Sequence, residues 1–283
     1  MQQGRLALKF RQWKLRRRSE RAQQEYEGRI AKGRRSDRPH VLSRPLVVSL
    51  TSYQARFPVL EKTLKCLLLQ SIRPDHVVLW LSNEDVAKLP ESILILSDLG
   101  LDIRGTKDLR SFTKIIPALD AFPDAFIVTA DDDVYYWPTW LEELVEAHLR
   151  TGDPVICHRG HLILLGEDGH PAPYNRWHRG IRRGTVSPLL FPTGVMGMLY
   201  DPRIFYGDVT RSDIFQQLCP YADDVWLYWM YRLNAVTPRL VPCRHRVLEW
   251  QGGQEQNLRS SNVGLSGNDT AINRMIENYG WPK

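Results

Sequence analysis

Cysteine is scarce. The 283-residue chain has four, Cys66, Cys157, Cys219 and Cys243, with no CxxC pair and no zinc-ligand spacing. That excludes a disulfide framework, and buried free thiols in a reducing cytosol fit best. No run of about 18 apolar residues occurs, so no transmembrane helix is expected. The N-terminus is charged but lacks an apolar h-region, so it does not read as a secretory signal. There is no internal repeat. No glycine-rich phosphate loop follows the first apolar run, where Thr51-Ser52-Tyr53-Gln54-Ala55 stands instead.

A uniform charge is also missing. The net charge of +6 is concentrated in residues 1–44, which hold 14 Lys+Arg against 4 Asp+Glu. The remaining 24 Lys+Arg face 28 Asp+Glu, leaving the rest of the chain slightly acidic. This argues against a nucleic-acid binder. The basic stretch 1–44 reads as a helix-prone arm, with Phe10, Trp13 and Leu15 set among Arg11, Lys14, Arg16, Arg17 and Arg18. It is either a solvated extension or a helix that lies on an anionic membrane surface, to which each basic residue adds about 1 kcal/mol.

What is present is ordinary for a globular enzyme: 43% hydrophobic and 25% charged residues. From residue 45 the chain alternates apolar runs with helical spacing. Strands are predicted at Pro45–Leu50, His76–Leu81 and Leu101–Arg104, with another over 125–130. Helices are predicted after Tyr53, with apolar spacing at Leu60, Leu64, Leu67 and Leu68, over Pro90–Leu99 and over 113–121. Strand and helix in this alternation predict an α/β fold with a Rossmann-like, mostly parallel mixed sheet flanked by helices. Further on, a helix over Trp140–Arg150, strands at Val155–His158 and His161–Leu165, and a helix over 222–234 are expected. Residues 166–187 read as a long polar loop over a site, and 251–283 as a polar C-terminal extension. The central body is placed at 45–250.

The strongest chemical signal is Asp131-Asp132-Asp133, directly after the apolar run 125–130. Carboxylates repel one another, so a cluster at the end of a buried strand wants a cation, and hard oxygen ligands suit Mg²⁺ or Mn²⁺. In open α/β sheets ligands bind beyond the carboxyl ends of strands. An EF-hand is disfavoured because Tyr136 stands where its glycine belongs. A solvated acidic helix start is the competing reading. A second acidic pair, Asp223-Asp224, opens the helix over 222–234. It reads either as a base or as an N-terminal pair favoured by the helix dipole.

Taken together, these segments resemble glycosyltransferases of the A-type fold, in particular a bacterial family-2-like group. The resemblance spans about residues 45–250. It is carried by Val47–Ser52 with Arg56, by Ser111-Phe112-Thr113-Lys114, by Thr129-Ala130-Asp131-Asp132-Asp133, and by Cys157-His158-Arg159-Gly160. Phe191-Pro192-Thr193-Gly194 and Cys219–Trp226 extend it.

The resemblance implies a metal-dependent, inverting transfer of a sugar from a nucleotide-diphosphate donor to a glycan or glycolipid acceptor. The implied setting is bacterial surface-polysaccharide or lipopolysaccharide synthesis at the cytoplasmic face of the membrane. It places Thr51, Ser52, Tyr53, Arg56, Lys114, Asp131 and Asp132 at the donor, and Asp133, Asp131 and His245 at a Mn²⁺ or Mg²⁺ ion. Either Asp224 or Asp223 would be the base that deprotonates the acceptor hydroxyl. The alternatives are a metal-dependent nucleotidyl- or phosphotransferase and a non-catalytic glycan- or membrane-binding module.

Overall fold

The computed structural model describes residues 2–251 and 267–282. Its centre is an eight-stranded mixed sheet. The first half consists of β1 (Leu46–Thr51), β2 (His76–Ser82), β3 (Leu101–Thr106) and β4 (Phe126–Ala130), in the order β3-β2-β1-β4, all parallel. Beyond β4 lies the antiparallel β10 (Met198–Tyr200), then β5 (Val155–Cys157), β11 (Arg239–Leu240) and β8 (Thr185–Val186). This is the α/β, Rossmann-like mixed sheet expected. The direction of the chain reverses between β4 and β10, beside the strand that carries the aspartates.

Strand residues alternate between two cores, as the two-residue period of a sheet requires. Leu46, Val48, Leu50, Phe126, Val128 and Ala130 face one side. There they meet α2 (Phe57–Leu68), α4 (Glu91–Leu94) and α6 (Trp140–Thr151). Val47, Val78, Trp80 and Ile127 face the other. That side is covered by α5 (Ile116–Ala121), α7 (Ser212–Leu218) and α8 (Asp223–Arg232). Because both faces are buried, the strands read as near-continuous apolar runs rather than alternating ones.

The N-terminal helix α1 (Gln2–Lys32) docks by its second half. Ala22 and Tyr26 are buried, and Arg29 donates to the carbonyls of Tyr136, Cys66 and Leu69. Its first half leaves Phe10, Trp13 and Leu15 about half exposed.

Three stretches differ from expectation. The segment 166–187 is folded: β7 (His178–Ile181) pairs with β6 (Gly160–Leu162), which pairs with β9 (Leu190–Pro192). Its polar composition hid two anchors, Tyr174 and Trp177, whose buried rings meet Phe191. The predicted helix over 90–99 splits into α4 and a 3₁₀ turn, Ile95–Leu99, closed by Gly100 at φ 88°. In the predicted C-terminal extension, residues 252–266 lie outside the described residues, but Gly267–Tyr279 forms a helix, α9. It buries Ala271, Ile272 and Met275 among the α7 and α8 side chains, so composition alone misjudged it.

Candidate functional site

The carboxyl ends of β1 and β4 open side by side. Ser52, just after β1, donates to Asp132 Oδ2 at 2.6 Å. Arg56, in the turn leading to α2, ion-pairs with Asp133 and reaches the Tyr53 hydroxyl at 3.3 Å. Thr51 points its hydroxyl at the Trp80 carbonyl, 2.9 Å away, so it holds β1 to β2 and leaves the site to its neighbours.

Lys114 closes the 3₁₀ turn Arg110–Lys114. The turn is fixed from below by Ser49, whose hydroxyl donates to the Lys114 carbonyl at 2.6 Å and accepts from the Trp80 indole at 2.9 Å. Lys114 Nζ lies 2.9 Å from Asp131 Oδ1 and 3.1 Å from Asp223 Oδ2. It thereby joins the two acidic segments. Asp224 Oδ1 accepts the Gly194 amide at 3.0 Å.

A Cβ at Gly194 would stand 3.1 Å from Asp224 Oδ1 and 3.3 Å from Lys114 Nζ, tight contacts to which those side chains would have to give by a few tenths of an ångström.

Five carboxylates, Asp131, Asp132, Asp133, Asp223 and Asp224, therefore share two cations, Arg56 and Lys114. The imbalance shows at Asp132, Asp133 and Asp224. Burial, reinforced by Asp133, pushes Asp132 up to about 7 despite the Ser52 bond. Burial also raises Asp133, against the pull of Arg56. Asp224 is raised by burial and then by the charge of Asp223, with Lys114 opposing. Burial works against the charge on Lys114, but Asp131, Asp223 and Asp224 outweigh it and hold its pKa well above the ordinary lysine value.

A divalent cation fits this excess of hard oxygen donors. Among the described residues, no group of three or more His, Cys, Asp or Glu side chains is arranged to hold an ion by itself. Such ions are commonly held by one or two carboxylates completed by phosphate oxygens of a substrate. His245 does not join the aspartates. It lies exposed and flat against Trp137, ring centroids 4.1 Å apart and planes 7° from parallel.

Sequence reasoning missed two contributors. Tyr136 is fully buried and its hydroxyl accepts the Asp131 amide at 2.7 Å, which fixes the start of the acidic turn. Its only signal was a polar-tipped ring within an apolar stretch. Trp250 donates its amide to the Asp133 carbonyl at 2.8 Å and its indole to Thr63 at 3.0 Å, supporting the turn from behind. Trp226 and Trp229 are core residues, bonded to the carbonyls of Val209 and Gly280.

No family model matches this chain, and no curated protein does. Among solved structures, it is similar to a mannosyltransferase from Pyrobaculum calidifontis in complex with GDP-Man and Mn²⁺. That similarity has 17% identity and a TM-score of 0.34, covering 48% of this chain and 42% of the other. The chain thus spans less than half the length of that enzyme. It is also similar to a 4-diphosphocytidyl-2C-methyl-D-erythritol synthase from Anaerococcus prevotii, with 14% identity and a TM-score of 0.48, covering 79% and 96%. A third likeness is S. aureus TarS in complex with UDP, with 12% identity and a TM-score of 0.45, covering 72% and 59%.

Proposed function

We propose that this protein is a metal-dependent glycosyltransferase that moves a sugar from a nucleotide-diphosphate donor to a hydroxyl of a glycan or glycolipid acceptor, with inversion. The observation that carries this reading is the bridge through Lys114, which joins the acidic turn after β4 to the acidic start of α8 in one crevice. Donor and acceptor chemistry need two such groups within one sugar's reach.

In this reading Ser52, Tyr53 and Arg56 position the donor beside Asp131 and Asp132. Asp133 and Asp131 hold a Mn²⁺ or Mg²⁺ ion. When bound, such an ion supplies charge neutralisation on the departing diphosphate. Lys114 adds positive charge on the same side.

Asp224 is the base. Its raised pKa matches a group that must take a proton near neutral pH. It accepts the acceptor's hydroxyl proton as that oxygen bonds to the anomeric carbon and the bond to the diphosphate breaks. Asp223, paired with Lys114, is a positioning residue.

The exposed Phe10, Trp13 and Leu15 of α1, with Lys14 and Arg17 lying over the Phe10 and Trp13 rings, suit docking on an anionic membrane surface. In this reading the reaction takes place at the cytoplasmic face of the membrane, in surface-polysaccharide synthesis. Among the described residues no helix is long and apolar enough to cross a membrane.

Isothermal titration with UDP, GDP, CDP and dTDP, with and without Mn²⁺, tests the central claim. One nucleotide should bind with Mn²⁺-dependent heat. Absence of metal-dependent heat with all four would overturn it.

A further inference from the structure

A cleft of about 1160 Å³ opens between the stretch of α1 from Gln12 to Glu20, ahead of its docked half, and the body. Its walls carry Arg159, Arg179, Arg182 and Arg246, and on the α1 side the ion-paired Arg16 and Glu20; Glu249 is the other acidic lining residue. The cleft adjoins the proposed base through a short chain of contacts. Arg159 Nη1 donates to Thr193 Oγ1 at 2.5 Å, and the Thr193 amide donates back to the Arg159 carbonyl at 3.0 Å. The next residue, Gly194, holds Asp224. Arg179 and Arg182 are exposed, and they project from and just beyond the β7 strand that the buried Trp177 and Tyr174 anchor. The Arg179 guanidinium lies 5.3 Å from the Tyr174 ring centroid, and Asp224, Arg159 and Arg179 all act electrostatically on that tyrosine.

We infer that this cleft is the acceptor site and that the acceptor carries an oxyanion, a phosphate or a carboxylate, gripped by Arg179 and Arg182. The assignment rests on the sugar-transfer reading for the word acceptor, while the preference for an anion stands on the cleft alone. Guanidinium groups pair with phosphate and carboxylate through two parallel hydrogen bonds, which orients the ligand as well as holding it. In a body that is otherwise slightly acidic, four arginines line this one cleft, with Glu249 the one acidic body residue in its lining. A neutral acceptor would make no use of the charge on the exposed Arg179 and Arg182.

The test uses the full chain and three soluble probes: mannose 6-phosphate, a galacturonate tetrasaccharide, and mannose as the neutral control. Vesicles of phosphatidylcholine with and without phosphatidylglycerol separate a lipid-borne oxyanion from a soluble one. At least one anionic probe should bind, weaken with added salt, and exceed the neutral control. Arg179→Gln and Arg182→Gln should each weaken it by about tenfold, the worth of one charge-assisted hydrogen bond. Arg183→Gln removes the same charge from the same segment but outside the cleft, and should change nothing.

Equal binding of charged and neutral probes, or no effect of either cleft variant, overturns the inference. Equal losses from all three substitutions also overturn it, because they would report general charge alone. Titration of nucleotide and Mn²⁺ on the same variants separates the two claims. Anion binding without any nucleotide binding sinks the sugar-transfer reading and leaves the anion site standing. Nucleotide binding without anion preference does the reverse.

Discussion

Lys114 and Asp223 meet at 3.1 Å, although they lie on a short turn before β4 and at the start of α8. The same ammonium is 2.9 Å from Asp131. One buried cation therefore sets the distance between the acidic turn and the acidic helix start, and its removal should affect both.

Lys114→Met leaves Asp131, Asp223 and Asp224 without their shared counter-charge. Breaking a buried pair from one side typically costs about 3–5 kcal/mol. Urea unfolding should show a loss toward that range at neutral pH. Asp224, already raised by burial in the native chain, loses the opposing charge of Lys114 and is pushed further above its unfolded value. Its contribution to stability is therefore kept at low pH and lost as pH rises. The deficit should shrink when the measurement is repeated near pH 5, and a deficit that grows on acidification would contradict the arrangement.

Asp224 must be ionised to act as a base, and burial with the neighbouring Asp223 raises its pKa. Transfer rate should therefore climb with pH between about pH 6 and 8. Asp223→Asn removes the like charge and should move the climb to lower pH. An unshifted profile would assign the base elsewhere.

Asp133→Ala should abolish Mn²⁺-dependent nucleotide binding. Asp224→Asn should leave that binding within about twofold while lowering turnover by roughly 10²–10⁴, the usual worth of a general base. Calorimetry and a transfer assay on the two variants give the double dissociation. Equal loss of binding in both would mean that the acidic segments act as one unit.

Gly194→Ala brings a methyl group to 3.1 Å from Asp224 Oδ1 and 3.3 Å from Lys114 Nζ. Contacts this short force the base or the ammonium to move, and small displacements at a reacting centre are costly in rate. Turnover should fall at least about tenfold while the thermal midpoint changes little. A fully active variant would show that the crevice tolerates rearrangement.

Phe10→Ala with Trp13→Ala removes exposed rings of α1 that make no contact with the body core. Thermal stability should stay the same, and sedimentation with phosphatidylglycerol vesicles should weaken. Undiminished sedimentation would leave the basic residues alone to account for any membrane affinity.

Much of this was legible in the sequence because each signal was local. The apolar runs of β1, β2 and β4 announce a sheet buried on both faces, and Asp131–Asp133 directly after one of them announces its carboxyl end. The meeting of Lys114 with Asp223 has no local signature, since it depends on how α8 crosses the sheet. The 166–187 segment misled because two buried rings, Tyr174 and Trp177, outweigh its polar majority once Phe191 is beside them. Helix α9 misled in the same way: Ala271, Ile272 and Met275 form a narrow apolar stripe in polar surroundings, and the stripe is visible only against α8. His245 follows Cys243 in a segment without regular structure, and nothing in its neighbours marked Trp137 as its partner.

The four cysteines are all reduced and buried. Burial raises Cys66 and Cys243 to about 11 and lifts Cys157 and Cys219 as well. Thiolate is the reactive form, so the native chain should resist alkylating reagents until it opens. A fluorophore maleimide would then report unfolding directly. A single cysteine introduced on the surface, for example on the β7–β8 segment, could be labelled without first stripping the natural ones.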